Sequence, residues 1–157
     1  MTWASPTRAF ARITLFALAF SVTACIALLG KDDPAIGSLA LTGSTWMTMT
    51  VDGASVPVDV MSTLTFPSDA RITGNGGCNP YSAPLGVAAN ELDIGPITRE
   101  ERECGPEVMA AESRFLAALQ KVRSFHGTDL FLYLYDEYGA QRVSLSRVPD
   151  AAPQGTP

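Results

Sequence analysis

Along this chain the spacing of apolar residues changes character three times, and each change marks a different kind of element. An almost unbroken apolar run occupies Ile13 to Gly30. From Thr45 onward apolar and polar residues alternate in short stretches, the period of half-buried strands. The run Thr45 to Val51 is rich in β-formers, and Trp46 is its candidate core anchor. Asp52-Gly53 signals a tight reversal. Leu64-Thr65-Phe66 alternates again, Pro67-Ser68-Asp69 breaks the pattern and Arg71 to Gly74 resumes it. Tyr81, Leu92-Asp93-Ile94 and Gly95 to Thr98 read as further short strands divided by turns.

The period becomes helical after Cys104-Gly105-Pro106. Pro106 suits a first helical turn, and Glu107 suits the positive end of the helix dipole. Val108, Ala111, Phe115, Leu119 and Val122 fall on one stripe, which predicts one main helix over about 106–123. Leu130 to Tyr135 is continuously apolar enough to run through the middle of a sheet, and Arg142 to Ser146 alternates as a last strand. Pro149 onward has the composition of a disordered tail. These elements predict an α+β fold: a curved antiparallel sheet of about six to eight strands wrapped against the helix.

The N-terminus sets the compartment. Arg8 and Arg12 precede the apolar run, and Val22-Thr23-Ala24-Cys25 has the small residues and cysteine of a lipoprotein cleavage site. This predicts a signal peptide over 1–24, lipidation of Cys25, a tether over 25–40, a domain over 41–148 and a tail over 149–157. Ile13 to Gly30 spans 18 uncharged residues, however, about the lower limit for crossing a bilayer, so an uncleaved signal anchor is the alternative. Either way the arginines stay inside and the domain is extracytoplasmic. Cleavage removes two arginines and no acid, moving the formal net charge from −5 to −7. Such a domain is a poor partner for nucleic acid or an anionic membrane surface.

Gly74-Asn75-Gly76-Gly77-Cys78-Asn79 is the most unusual segment. Asn75-Gly76 is a type I′ turn signal, which predicts a tight hairpin, and the Asn79 amide is placed either to shape the loop or to present a ligand contact. The segment lacks the Gly-Lys-Ser/Thr ending of a phosphate loop. Glu112 lies within the helix's apolar stripe, so its carboxylate needs partners or must reach solvent at the rim. Candidate donors are the Gly77-Cys78-Asn79 backbone and an arginine such as Arg99 or Arg123. With Cys25 lipidated, Cys78 and Cys104 remain as a pair in an oxidising compartment. A bridge between them would stabilise by about 3–4 kcal/mol, and two buried thiols are the alternative.

Leu41 to Trp46, Leu64-Thr65-Phe66, Gly76-Gly77-Cys78-Asn79, Leu92 to Thr98, Cys104-Gly105-Pro106 and Glu112 to Leu119, in that order, resemble the META domain, the family also called HslJ-like. The resemblance covers Leu41 to about Ser146. It implies an antiparallel sheet curved around a helix, carried in envelope lipoproteins linked to heat or envelope stress, with no established enzyme activity. The chain departs from the family pattern at Thr98-Arg99-Glu100-Glu101-Arg102-Glu103-Cys104. There the Thr-Arg pair stands farther from the cysteine, and charges replace a methionine.

No catalytic set assembles from the residue inventory. His126 is the only histidine, no Cys/His/Asp spacing suits a metal, and a Gly-x-Ser-x-Gly nucleophile context is absent. The expectation is therefore a non-enzymatic envelope lipoprotein without cofactor, facing the periplasm, with the outer membrane favoured. Its lipid would hold it to the membrane, and its partner would be an envelope protein or a lipid-like ligand. A protease-inhibitor-like or lipid-binding, pilot-like module on an uncleaved anchor is the alternative.

Overall fold

The computed structural model describes Met1 and residues 40–149. Its strands are β1 (Ser44–Val51), β2 (Ala54–Ser55), β3 (Thr63–Ser68), β4 (Arg71–Asn75), β5 (Pro80–Ala88), β6 (Glu91–Ile94) and β7 (Thr98–Arg99), followed by α1 (Pro106–Leu119), β8 (Val122–Gly127), β9 (Phe131–Asp136) and β10 (Gln141–Arg147). All strand pairings are antiparallel.

The sheet closes on itself. β1 bonds to β3 along Ser44–Met47 and to β10 along Trp46–Val51, so β1, β3, β4, β5, β6, β8, β9 and β10 form a barrel. β2 and β7 are short additions to β1 and β5. This corrects the expected curved sheet wrapped on a helix. Closure satisfies the backbone groups that an open sheet leaves at its edges. A register shift in β1 between Thr48 and Thr50 re-aims the strand where it meets β10.

One face of each of the eight barrel strands fills the interior. Trp46, Leu64, Phe66, Ile72, Tyr81, Leu92, Val122, Phe125, Leu132, Leu134, Val143 and Leu145 are buried there, joined by Phe115, Ala118 and Leu119 of α1. Antiparallel strands alternate their turns between two ends. The β4–β5 and β9–β10 turns, the β1–β2 turn and α1 belong to one end. The β3–β4, β5–β6 and β8–β9 turns lie at the other, with the start of β1 and the finish of β10.

Four local readings change. The helix stops at Leu119, and Lys121 N–H donates to Ala118 O at 3.0 Å as the chain turns. Val122, in step with the helical stripe, is instead the first inward residue of β8. β9 is paired on both sides but buried only at Leu132 and Leu134; in a closed barrel every strand is central without being covered on both faces. β3 runs on through Pro67 and Ser68, so the break falls at the following turn. Asn75-Gly76 is not a type I′ turn, because neither residue has positive φ; the loop has four residues, Gly76 to Asn79, and Gly77 carries φ +135°. Asp52-Gly53 does have positive φ at both residues and joins β1 to β2 as expected.

Candidate functional site

The β4–β5 loop is held from three sides. Asn75 Oδ1 accepts the Gly77 N–H at 2.7 Å, the Gly76 N–H donates to Asn79 O at 2.8 Å, and Ser62 Oγ donates to Gly76 O at 2.7 Å. The third support is Glu112, and it explains the first glycine of the pair. A Cβ at position 76 would stand 2.7 Å from Glu112 Cγ. Gly77 is needed for its positive φ, and a Cβ there would stand 2.7 Å from Val60 Cγ1.

Glu112 is fully buried on the inner face of α1. Its Oε2 accepts the backbone N–H groups of Cys78 at 3.0 Å and Asn79 at 2.7 Å. Its Oε1 accepts Asn79 Nδ2 at 2.9 Å and Arg99 Nη1 at 2.7 Å. Burial pushes this carboxyl up, but the Asn79 amide, the two backbone donors and the Arg99 guanidinium outweigh that and hold it below the ordinary carboxylate value. It is an anion at neutral pH with four donors on two oxygens. Arg123 takes no part; its guanidinium donates to Gln120 O and Val122 O.

Asn79, also fully buried, is equally committed. Besides serving Glu112, Nδ2 donates to Arg102 O at 3.1 Å, and Oδ1 accepts the Arg102 N–H at 2.7 Å. The loop between β7 and α1 is thereby docked through its backbone, next to the disulfide Cys78–Cys104. The charged run that departs from the family pattern fits this arrangement. Arg99 is paired with Tyr81 on β5, and residues Glu100 to Gly105 are exposed.

Gly76, Gly77, Cys78, Asn79, Cys104 and Glu112 therefore meet in one place. Trp46 does not join them. It is buried toward the opposite end of the barrel, where its Nε1 donates to Ser44 Oγ at 2.7 Å and Arg147 lies 5.5 Å over its ring. Cys25 lies outside the described residues. Ser62 and the Arg102 backbone were invisible to sequence reasoning, since neither residue type nor spacing distinguishes them. His126 is an outer-face residue edge-on to Tyr135.

The hub is a brace rather than a cleft. The space beneath the helix is filled by Phe115, Ala118 and Leu119. An open groove of about 630 Å³ runs past Gly86, Leu92, Asp93, Arg123 and Asp136, and one of about 360 Å³ past Ile97, Arg99, Leu116 and Gln120; Glu112 lines neither. Among the described residues no cluster of three or more His, Cys, Asp or Glu could hold a metal, and no helix is long and apolar enough to cross a membrane.

A closed antiparallel barrel plugged by one helix, with a Gly-Gly-Cys-Asn loop locked to a helical glutamate, defines the class. The META domain family model matches residues 39–149, and the chain belongs to that family. Solved structures share the fold. An NMR structure of a protein from Burkholderia xenovorans is 20% identical, with TM-score 0.60 over 75% of this chain and 90% of that one. A crystal structure of a duf4847 family protein from Bacteroides vulgatus is 14% identical, with TM-score 0.52 over 68% of this chain and 93% of that one. No curated protein matches the chain.

Proposed function

We propose that this META domain works outside the cytoplasm as a non-enzymatic binding module of the cell envelope, held at the membrane by lipid on Cys25 and supporting envelope integrity under stress. The Cys78–Cys104 bridge is the observation that carries this reading. Disulfides persist in oxidising compartments, and the Arg8/Arg12 apolar run is the matching export device. Glu112 supports the non-enzymatic part. It is the only buried carboxylate among the described residues, and all its accepting positions are occupied by structural donors, so no base–nucleophile pair forms around it.

A second reading is inhibition of a protease through the Glu100 to Gly105 loop. That loop is exposed, tied at Arg102 by Asn79 and anchored at Cys104 by the bridge. Intact-mass measurement on protein purified from membranes tests the first reading. Lipidation predicts loss of residues 1–24 and added acyl mass on Cys25, abolished in Cys25→Ser. An unmodified full-length N-terminus rules lipidation out.

A further inference from the structure

We propose that the barrel rests on the bilayer by the end at which the chain enters it, with Leu130 and Phe131 at the tip of the β8–β9 hairpin as the lipid contact. The proposal rests on the membrane-anchored reading above and adds an orientation to it.

The backbone brings the relevant segments together. The Val148 N–H donates to Thr45 O and the Arg147 N–H donates to Leu130 O, each at 2.9 Å. The start of β1, the finish of β10 and the hairpin tip are thus immediate neighbours. Fifteen residues lead from Cys25 to Ala40, a span of about 50 Å at full extension, so the barrel stays within reach of the membrane that holds the lipid.

The tip presents apolar surface to solvent beside Asp129. Leu130 is 67% exposed and Phe131 40%. The turn is shaped by Thr128, whose Oγ1 accepts the Leu130 and Phe131 N–H groups at 3.2 Å and whose N–H donates to Phe131 O at 2.8 Å. A leucine and an aromatic ring on an ordered tip have the composition of an interfacial contact. Arg147, stacked over the Trp46 ring, supplies a cation beside them for a lipid phosphate. Asp69 and Asp129 are exposed at the same end with Arg71, a mixture suited to zwitterionic headgroups. Exposure alone does not choose this end, since Val58, Met61 and Tyr138 are exposed at the other. The place where the chain enters chooses it.

The test uses full-length protein, processed in cells, in vesicles of phosphatidylethanolamine and phosphatidylglycerol containing brominated phosphatidylcholine. Phe131→Trp and Tyr138→Trp report opposite ends, each read as the difference from wild type. With the tip at a depth of about 5–10 Å, the Phe131→Trp signal is expected to fall about twofold or more, and the Tyr138→Trp signal to change less than about 1.1-fold. Adding Leu130→Asp to Phe131→Trp is expected to restore about half of the lost signal or more, because a charge is expelled from the interface. Vesicle-bound protein with both signals unquenched, both equally quenched, or only Tyr138→Trp quenched overturns the orientation and leaves the anchor standing. A Phe131→Trp signal untouched by brominated lipid but shielded from iodide in native envelopes assigns the tip to a protein and also overturns it. Protein that fails to float with the vesicles overturns anchor and orientation together.

Discussion

At one end of the barrel Glu112, Asn79, Arg99 and the Cys78–Cys104 bridge join the β4–β5 loop, the β7–α1 loop and the helix through directional links. At the other, Trp46 settles among buried Leu41, Leu64 and Phe66 with one hydrogen bond to Ser44. Glu112 and Trp46 are both fully buried, yet the two ends meet different physical demands. The apolar end needs volume filled, and several side chains can do that approximately. The polar end needs every donor matched to an acceptor, because a buried group left without one costs more than the bond contributed. Four donors converging on one carboxylate therefore make the loop sequence narrow, whereas the strands tolerate variation within a pattern.

The largest expected difference between the ends comes from removing the acceptor. Glu112→Ala takes the acceptor from the Cys78 and Asn79 N–H groups and the Asn79 amide, while the partly exposed Arg99 guanidinium turns to water, and is expected to cost about 3–5 kcal/mol, read as a shift of the urea midpoint. An effect under about 1 kcal/mol would mean that water replaces the carboxylate, and the contrast between the ends would collapse. Reduction of the bridge, or the Cys78→Ser/Cys104→Ser pair, is expected to cost about 3–4 kcal/mol by the chain-entropy model. Because the bridge and Glu112 hold the same loop, their effects should fail to add by about 0.5 kcal/mol or more, while either should add to Trp46→Phe. Additivity in both double variants would show that the bridge and Glu112 do not act as one unit.

Gly76→Ala pushes a methyl group into Glu112 Cγ and is expected to cost about 1–3 kcal/mol. Combined with Glu112→Ala, which vacates that space, its cost should drop measurably. Trp46→Phe keeps most of the ring but loses the Ser44 bond, and is expected to cost about 1–2 kcal/mol with no dependence on acid. The smallest effect is the acid limb of stability. Glu112's folded value lies below its ordinary value of 4.5, so its contribution is complete above about pH 4.5 and is lost as pH falls through the lower folded value. Urea titrations between pH 7 and 2 should show this limb in wild type and a shallower one in Glu112→Gln. Identical limbs would mean that Glu112 does not carry the charge assigned to it.

Much of the site was legible because its residues are chemically unusual for their surroundings. A glutamate in an apolar stripe, an asparagine after two glycines and a cysteine pair each require a partner, and the segments bearing them carry the family pattern. Arg99 was one of several arginines that could have answered; pairing of β7 with Tyr81 on β5 places it and leaves Arg123 elsewhere. Ser62 and Arg102 act through a hydroxyl and a backbone amide that look like those of any loop. The end of the helix was misplaced for a related reason: Val122 continues the helical stripe and also begins an inward-facing strand, and no glycine or proline separates the two readings.

By itself the sequence determined which face of each strand turns inward, where most reversals fall, the one helix and the polar residues that could not remain unpaired. These follow from local periodicity and from the cost of burying charge, which act over a few residues. Only the tertiary structure decided that the sheet closes. Period-two alternation names a strand's inward face but not its neighbour, and closure depends on β1 meeting β10 almost a full domain later, as the 2.6 Å contact between Thr50 Oγ1 and Ser144 Oγ records. That closure confines the helix to one end of the barrel, Glu112 beneath the glycine loop and the entering chain beside Leu130.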